Sequence, residues 1–135
     1  MTYVIGVDGG TESLRAFVFD LEGRQRGSHA TAYKTDFPQP SWAEQDPEDW
    51  WQALGASVKA ALAKANVAAQ EVLALCVDTT CCSVVTLERD GRPLRPAMIW
   101  MDVRSTQQAD AIATTKDPTL RVNGGGSGPV SAGNG

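Results

Sequence analysis

The chain has 135 residues, 42% of them hydrophobic and 21% charged, with a formal net charge of −4. That length suits one domain and the mix is ordinary for a globular protein. With no basic cluster and no apolar run long enough for a bilayer, neither a nucleic-acid backbone nor a membrane is an expected partner.

From Met1 the chain passes almost directly into "YVIGVD", with no charged segment leading an apolar one, which reads as cytosolic. Cys76, Cys81 and Cys82 lack a metal-binding spacing and are odd in number, so they read as reduced thiols. "YVIGVD" (3–8) and "LRAFVFD" (14–20) are rich in Val, Ile and Phe and predict strands joined by a turn of Gly, Thr and Ser. "LEG" (21–23) predicts a tight turn, and the weakly alternating 24–35 a third, antiparallel strand. His29 falls in that polar strand and reads as solvated. Residues 36–45 carry prolines and no period, the mark of a loop.

A helix follows. Asp46 is a good N-cap, Pro47 suits the first helical position, and Glu48 and Asp49 complement the positive end of the dipole. Trp51, Leu54, Val58, Leu62 and Ala65 recur on one face, and Asn66 predicts the stop. Asp49, Trp50 and Trp51 are explained by capping and packing. "EVLALCVD" (71–78) is apolar throughout, as a parallel strand buried on both faces would be. Residues 83–100 predict a hairpin turning at Asp90-Gly91, and 102–115 a weak helix. The remainder has little to bury and reads as flexible or unfinished. The expected division is a partial domain over 1–116 and a Gly-rich tail over 117–135.

The predicted order is β-β-β-α-β, then a hairpin and a helix. It resembles the ribonuclease-H-like α/β fold of the actin and sugar-kinase superfamily, with a mixed and here incomplete sheet. In that fold the opening hairpin is a phosphate-binding device, although "DGGT" alone could equally be a plain glycine turn. The chemistry of the residues suits the first use. Gly9 and Gly10 let the backbone approach phosphate oxygens, and their N–H groups, with the Thr11 and Ser13 hydroxyls, can donate to an anion. Asp8 can hold a hydrated Mg²⁺, and Arg15 can reach a terminal phosphate with its fork.

"DGGTESLRAFVFD", "WAEQDPEDWW", "VDTTCCSVVTL", "DGRPLRPAMIWMDVRS" and "GGGSGPVSA" occur in this order. Over about residues 3–132 the chain resembles FGGY-family carbohydrate kinases, specifically the pentulose-kinase branch that includes ribulokinase. The resemblance implies transfer of the ATP γ-phosphoryl group to a sugar or polyol hydroxyl, in a cleft between two domains. It gives Asp8, Gly9, Gly10, Thr11, Ser13 and Arg15 the nucleotide-phosphate and metal role, with Asp8 at the Mg²⁺. Thr80, Cys81 and Cys82 would line the sugar pocket, Trp100 would pack on the sugar skeleton, and Asp102 and Arg104 would fix its hydroxyls or the local loop.

A glycerol kinase would carry an Arg-Glu pair where Thr80-Cys81 stands, so the resemblance points away from glycerol and toward a bulkier ketose. Simpler readings stay open beside these roles. Cys81 and Cys82 can be small core residues, with a vicinal disulfide the least favoured state. Trp100 can be a core residue at a hairpin end, and Asp102 and Arg104 can cap the following helix.

The family's catalytic aspartate, second phosphate motif and adenosine pocket fall beyond the last residue. The chain therefore reads as the front of a kinase cut short, inactive alone. The apolar faces of 71–78 and "AMIW" are expected to be partly bare. Full-length members would pair as homodimers through surfaces mostly downstream. A binding module that keeps the hairpin and docks a partner on a bare sheet edge is the second reading. Another actin-like ATPase is the third, disfavoured by "WAEQDPEDWW" and "IWMDVRS".

Overall fold

The computed structural model describes residues 1–122. Three strands, β1 (Tyr3–Gly9), β2 (Ser13–Asp20) and β3 (Gln25–Ala32), form an antiparallel meander. The helix α1 (Pro47–Ala65) then returns the chain to β5 (Val72–Thr79), which pairs parallel to β1. The sheet order is β3-β2-β1-β5. A two-residue strand β4 (Glu44–Gln45), inside the expected loop, pairs with β6 (Ala97–Met98). Two short helices, α2 (Thr106–Thr114) and α3 (Thr119–Val122), close the described chain. The tail expected from 117 thus begins with a helical turn, and from residue 123 it lies outside the described residues. Among the described residues no helix is long and apolar enough to cross a membrane.

Alternation builds the core. Tyr3, Ile5 and Val7 on β1, with Leu14, Ala16 and Val18 on β2, face α1 and are buried. The even positions of β1 and odd positions of β2 face the other way, which is where Asp8 and Arg15 stand. α1 has the ends that its sequence indicates. The Asp46 carboxylate accepts from the Glu48 N–H at 2.9 Å, and Asn66 closes the helix in the left-handed region at φ 53°. Asp46→Ala is expected to lower stability by about 1 kcal/mol, the usual worth of such a cap, as read from a thermal melt.

The helix face differs from the one read off the periodicity. Ala53, Ser57 and Ala61 make the closest approach, flanked by Leu54, Val58, Leu62 and Ala65. Trp51 is 69% exposed. The reason is steric: only small side chains let a helix lie this close to β3 and β2. Buried Ser57 then donates to the Leu14 carbonyl at 3.0 Å and pairs with the Thr31 hydroxyl at 2.8 Å, so its hydroxyl is satisfied.

β5 is not buried on both faces. Leu73, Leu75 and Val77 are exposed, because α1 covers β2 and β3 and leaves this edge strand open. The bare face expected for 71–78 is therefore present. The 83–100 segment is a loose hairpin held by Val84–Met98 and Leu87–Pro93 bridges. It turns at Asp90-Gly91 with Gly91 at φ 86°.

Candidate functional site

Both β1 and β5 carry Val-Asp just before their last residue, and the parallel register sets Asp8 beside Asp78 and Gly9 beside Thr79. On the other side Asp8 faces Arg15 of β2. One row across the sheet end therefore reads Asp78, Asp8, Arg15, on adjacent strands about 4.8 Å apart. Arg15 Nη2 lies 2.8 Å from Asp8 Oδ2, with both side chains about half exposed. An ion pair that wet is worth only about 0–1 kcal/mol to the fold. Its effect is to hold a carboxylate and a guanidinium at the mouth of the turn.

The turn itself is tight. A Cβ on Gly10 would meet Arg15 Nη2 at 2.9 Å and the Ser13 carbonyl at 3.3 Å, and one on Gly9 would meet Thr79 Oγ1 at 3.0 Å. A side chain at either glycine would thus crowd the turn, pressing on the Arg15 guanidinium and the Ser13 carbonyl from Gly10 and on Thr79 from Gly9. The Gly10 N–H, expected to face an anion, instead donates to the Ser13 carbonyl at 3.0 Å and closes the turn. Gly9 offers its carbonyl to the Thr80 N–H and the Thr79 hydroxyl, which ties β5 to the hairpin.

Residues without a recognisable motif support this turn. Tyr33 donates its hydroxyl to the Gly10 carbonyl. Burial and the Asp8 carboxylate push the Tyr33 phenol above its ordinary pKa, against the opposing pull of Arg15, so it remains a donor. Buried Gln45 donates to the Thr11 carbonyl and the Thr35 hydroxyl, each at 2.7 Å, and accepts from Trp50 Nε1 at 2.8 Å. Asp78, Thr79, Tyr33 and Gln45 were missed in the sequence. Only the repeated Val-Asp strand end could have pointed to Asp78.

The expected substrate-side residues divide. Trp100 Nε1 donates to Thr11 Oγ1 at 3.0 Å, which joins "IWMDVRS" to the glycine turn. Its ring is 45% exposed, so it is not a core tryptophan. It borders an open groove of about 830 Å³ shared with Gly10, Thr11, Ser13 and Arg15. Thr80 lines a second cleft of about 480 Å³, walled by Trp50, Trp51, Val77 and Val85. The two clefts meet at Gly10 and Tyr33.

Cys81 and Cys82 are exposed free thiols rather than small core residues. Their sulfurs lie 3.6 Å apart, and the hydrogen bond to Cys81 pushes the Cys82 thiol up.

Asp102 and Arg104 line neither cleft. Arg104 donates to both Asp102 oxygens and, at 2.7 Å, to Glu44, and it stacks 3.6 Å over Trp42. Asp102 also accepts the Ala43 N–H at 2.8 Å. Neither side chain caps α2, whose first turn receives no side-chain cap. The geometry is that of a clamp between the 42–45 segment, which includes β4, and the loop after β6. Burial opposes the charge on Asp102, but the Arg104 and Ala43 hydrogen bonds prevail and hold its pKa below the ordinary carboxylate value.

Among the described residues no group of three or more His, Cys, Asp and Glu is placed to enclose a metal. A hydrated Mg²⁺ needs only one or two carboxylates and keeps several waters. Asp8, exposed at the strand end with Asp78 in register, fits that modest demand.

Comparison with known proteins bears on the family and the fold. Residues 3–125 match the N-terminal domain of the FGGY family of carbohydrate kinases. A glycerol kinase of Rhizobium meliloti is 33% identical over 111 residues, 82% of this chain and 22% of that protein. One from Ralstonia nicotianae is 38% identical over 106 residues, 78% of this chain and 21% of that protein. Among solved structures, a xylulose kinase from Brucella ovis superimposes with a TM-score of 0.85 at 26% identity, over 94% of this chain and 26% of that one. A xylulose kinase from Rhodospirillum rubrum gives 0.78 at 27%, over 87% and 24%. The chain thus spans about a quarter or less of these relatives, and its mixed sheet is the sugar-kinase fold that the element order predicted. The chain belongs to the FGGY family of carbohydrate kinases, whose N-terminal domain its residues 3–125 match.

Proposed function

We propose that this chain is the phosphate-holding part of an ATP-dependent kinase acting on a sugar or polyol hydroxyl. The observation that carries the reading is the row of Asp78, Asp8 and Arg15 at the end of the sheet, beside a turn whose two glycines sit where a side chain would be crowded. Bound ATP with Mg²⁺ would supply the phosphoryl group and neutralise its charge. Asp8 would hold the hydrated cation, with Asp78 as a second acceptor. Arg15 would orient a phosphate oxygen, and the Thr11 and Ser13 hydroxyls would donate to the phosphates. Gly9 and Gly10 would let the backbone approach.

For the acceptor we infer a pentulose such as ribulose or xylulose, contacted by Thr80 and Trp100 at the two adjoining clefts. Small Thr80 and Cys81 in place of an Arg-Glu pair support a ketose, as does the structural likeness to xylulose kinases. The sequence relatives that act on glycerol make it the comparison substrate. Asp102 and Arg104 serve as positioning residues that hold the loop bearing Trp100. The exposed free thiols support a reducing, cytosolic setting.

Equilibrium dialysis of the chain against labelled ATP, with and without Mg²⁺, tests the reading. Weak, Mg²⁺-dependent binding is expected. Asp8→Asn should weaken it at least about tenfold, since one charge-assisted contact is worth roughly 1.5–3 kcal/mol. Gly10→Val should abolish it while the far-ultraviolet dichroism is kept. Phosphoryl transfer by the chain alone is expected to be absent. A wild-type chain that binds no ATP at millimolar concentration, or variants that bind as well as wild type, would overturn the proposal. Saturation-transfer NMR with ribulose, xylulose and glycerol tests the acceptor, and contact with glycerol alone would overturn the pentulose assignment.

A further inference from the structure

The cysteine pair after β5 has a geometry of its own. Neighbouring residues of an extended strand point to opposite faces. Cys82 breaks that alternation by adopting the left-handed region at φ 62°. Both sulfurs thereby come to one side, 3.6 Å apart and open to solvent. A disulfide would need about 2.05 Å between sulfurs. Two thiolates on one tetrahedral centre, with metal–sulfur bonds of about 2.3 Å, would be about 3.8 Å apart. The separation is that of two reduced thiols in contact, and it lies within reach of a single bridging atom. Among the described residues no third His, Cys, Asp or Glu joins it to make a metal-holding group, so it lacks the four ligands of a structural zinc site. The ligand that fits brings its own remaining substituent and needs only two sulfurs.

We propose that Cys81 and Cys82 form a vicinal dithiol site for soft trivalent centres, of which an organoarsenical of the type R–As=O is the representative. Two As–S bonds form and the As=O bond is lost. The two thiol protons leave with that oxygen as one water. Arsenic stays trivalent, so no oxidant or reductant takes part. The second bond closes intramolecularly, at the high effective concentration that a one-residue separation gives. Cys76 lies on β5, where it faces Gly6 of β1, and offers a single thiol only. Thr80 and Ser83, which bracket the pair, line the 480 Å³ cleft, so an adduct here sits next to that cleft's wall.

The test uses phenylarsine oxide and intact-mass spectrometry. Wild type and Cys76→Ser should each take up one phenylarsenic unit with loss of one water. That adduct should survive excess glutathione and leave on adding 2,3-dimercaptopropanol. Cys81→Ser and Cys82→Ser should hold the reagent at least about 100-fold less tightly, the gain expected from linking two contacts, with unchanged far-ultraviolet dichroism. Peptide mapping of the wild-type adduct needs no variant and should find both sulfurs of one peptide on one arsenic. An adduct that glutathione removes from wild type, that persists in either serine variant, or that bridges to Cys76 would overturn the proposal.

Discussion

Gly27→Val is expected to destabilise the domain by about 3 kcal/mol, the upper part of the range for overpacking, as a lower urea midpoint with little change in slope. A Cβ at this position of β3 would stand 2.6 Å from the Ala61 carbonyl oxygen and 2.8 Å from the Ala65 amide nitrogen. Both are backbone atoms of α1, so no side-chain rotation can relieve the contact. The helix as a whole would have to lift, and with it the buried Ser57 bonds to Leu14 and Thr31. Against a usual total of about 5–15 kcal/mol, that is a large share. Gly55 in the same helix supplies the opposite sign. A Cβ there meets nothing within 4 Å, so Gly55→Ala should stabilise by about 0.5–1 kcal/mol through helix propensity. If both substitutions lower the midpoint equally, the close approach of α1 to β3 is not what Gly27 protects.

The same contact shows what a sequence conveys and what it hides. Alternating Val, Ile and Phe marked β1 and β2, and Asp46-Pro47 marked the start of α1, because strand period and capping are local properties. The helix face was centred one row away, on large residues, since a count of apolar side chains cannot see that Gly27 opens a place for Ala61. β5 reads as buried because it is apolar, but burial depends on what covers a strand, and α1 packs chiefly on β2 and β3. Within the candidate site, Asp8 and the two glycines were legible from composition and order. Gln45 and Tyr33 were not, because their partners are the Thr11 and Gly10 carbonyls, and any polar residue of the right reach could serve. The Trp100–Thr11 bond joins residues 89 positions apart and has no sequence signature at all.

Asp102 gives the second large effect, with a definite sign in pH. Its side chain is only 5% exposed and accepts from Arg104 and the Ala43 N–H. Asp102→Ala would leave that N–H and part of the Arg104 guanidinium unpaired. Breaking a buried pair this way costs about 3–5 kcal/mol. Glu44 still holds Arg104 at 2.7 Å, so a loss of about 2–3 kcal/mol is expected here. Burial raises the Asp102 pKa and the Arg104 and Ala43 bonds lower it, with the lowering dominant. The folded value therefore lies below the unfolded one of about 3.9. The stabilisation is present above the unfolded pKa and is lost as pH falls through the folded pKa. Wild type should consequently lose stability faster than Asp102→Asn on acidification below about pH 4, while at neutral pH the variant is the weaker of the two. Urea midpoints measured from neutral pH into acid should converge. Parallel curves would mean that the carboxylate is not ionised in the clamp, and that Trp42 stacking and Glu44 alone hold Arg104 in place.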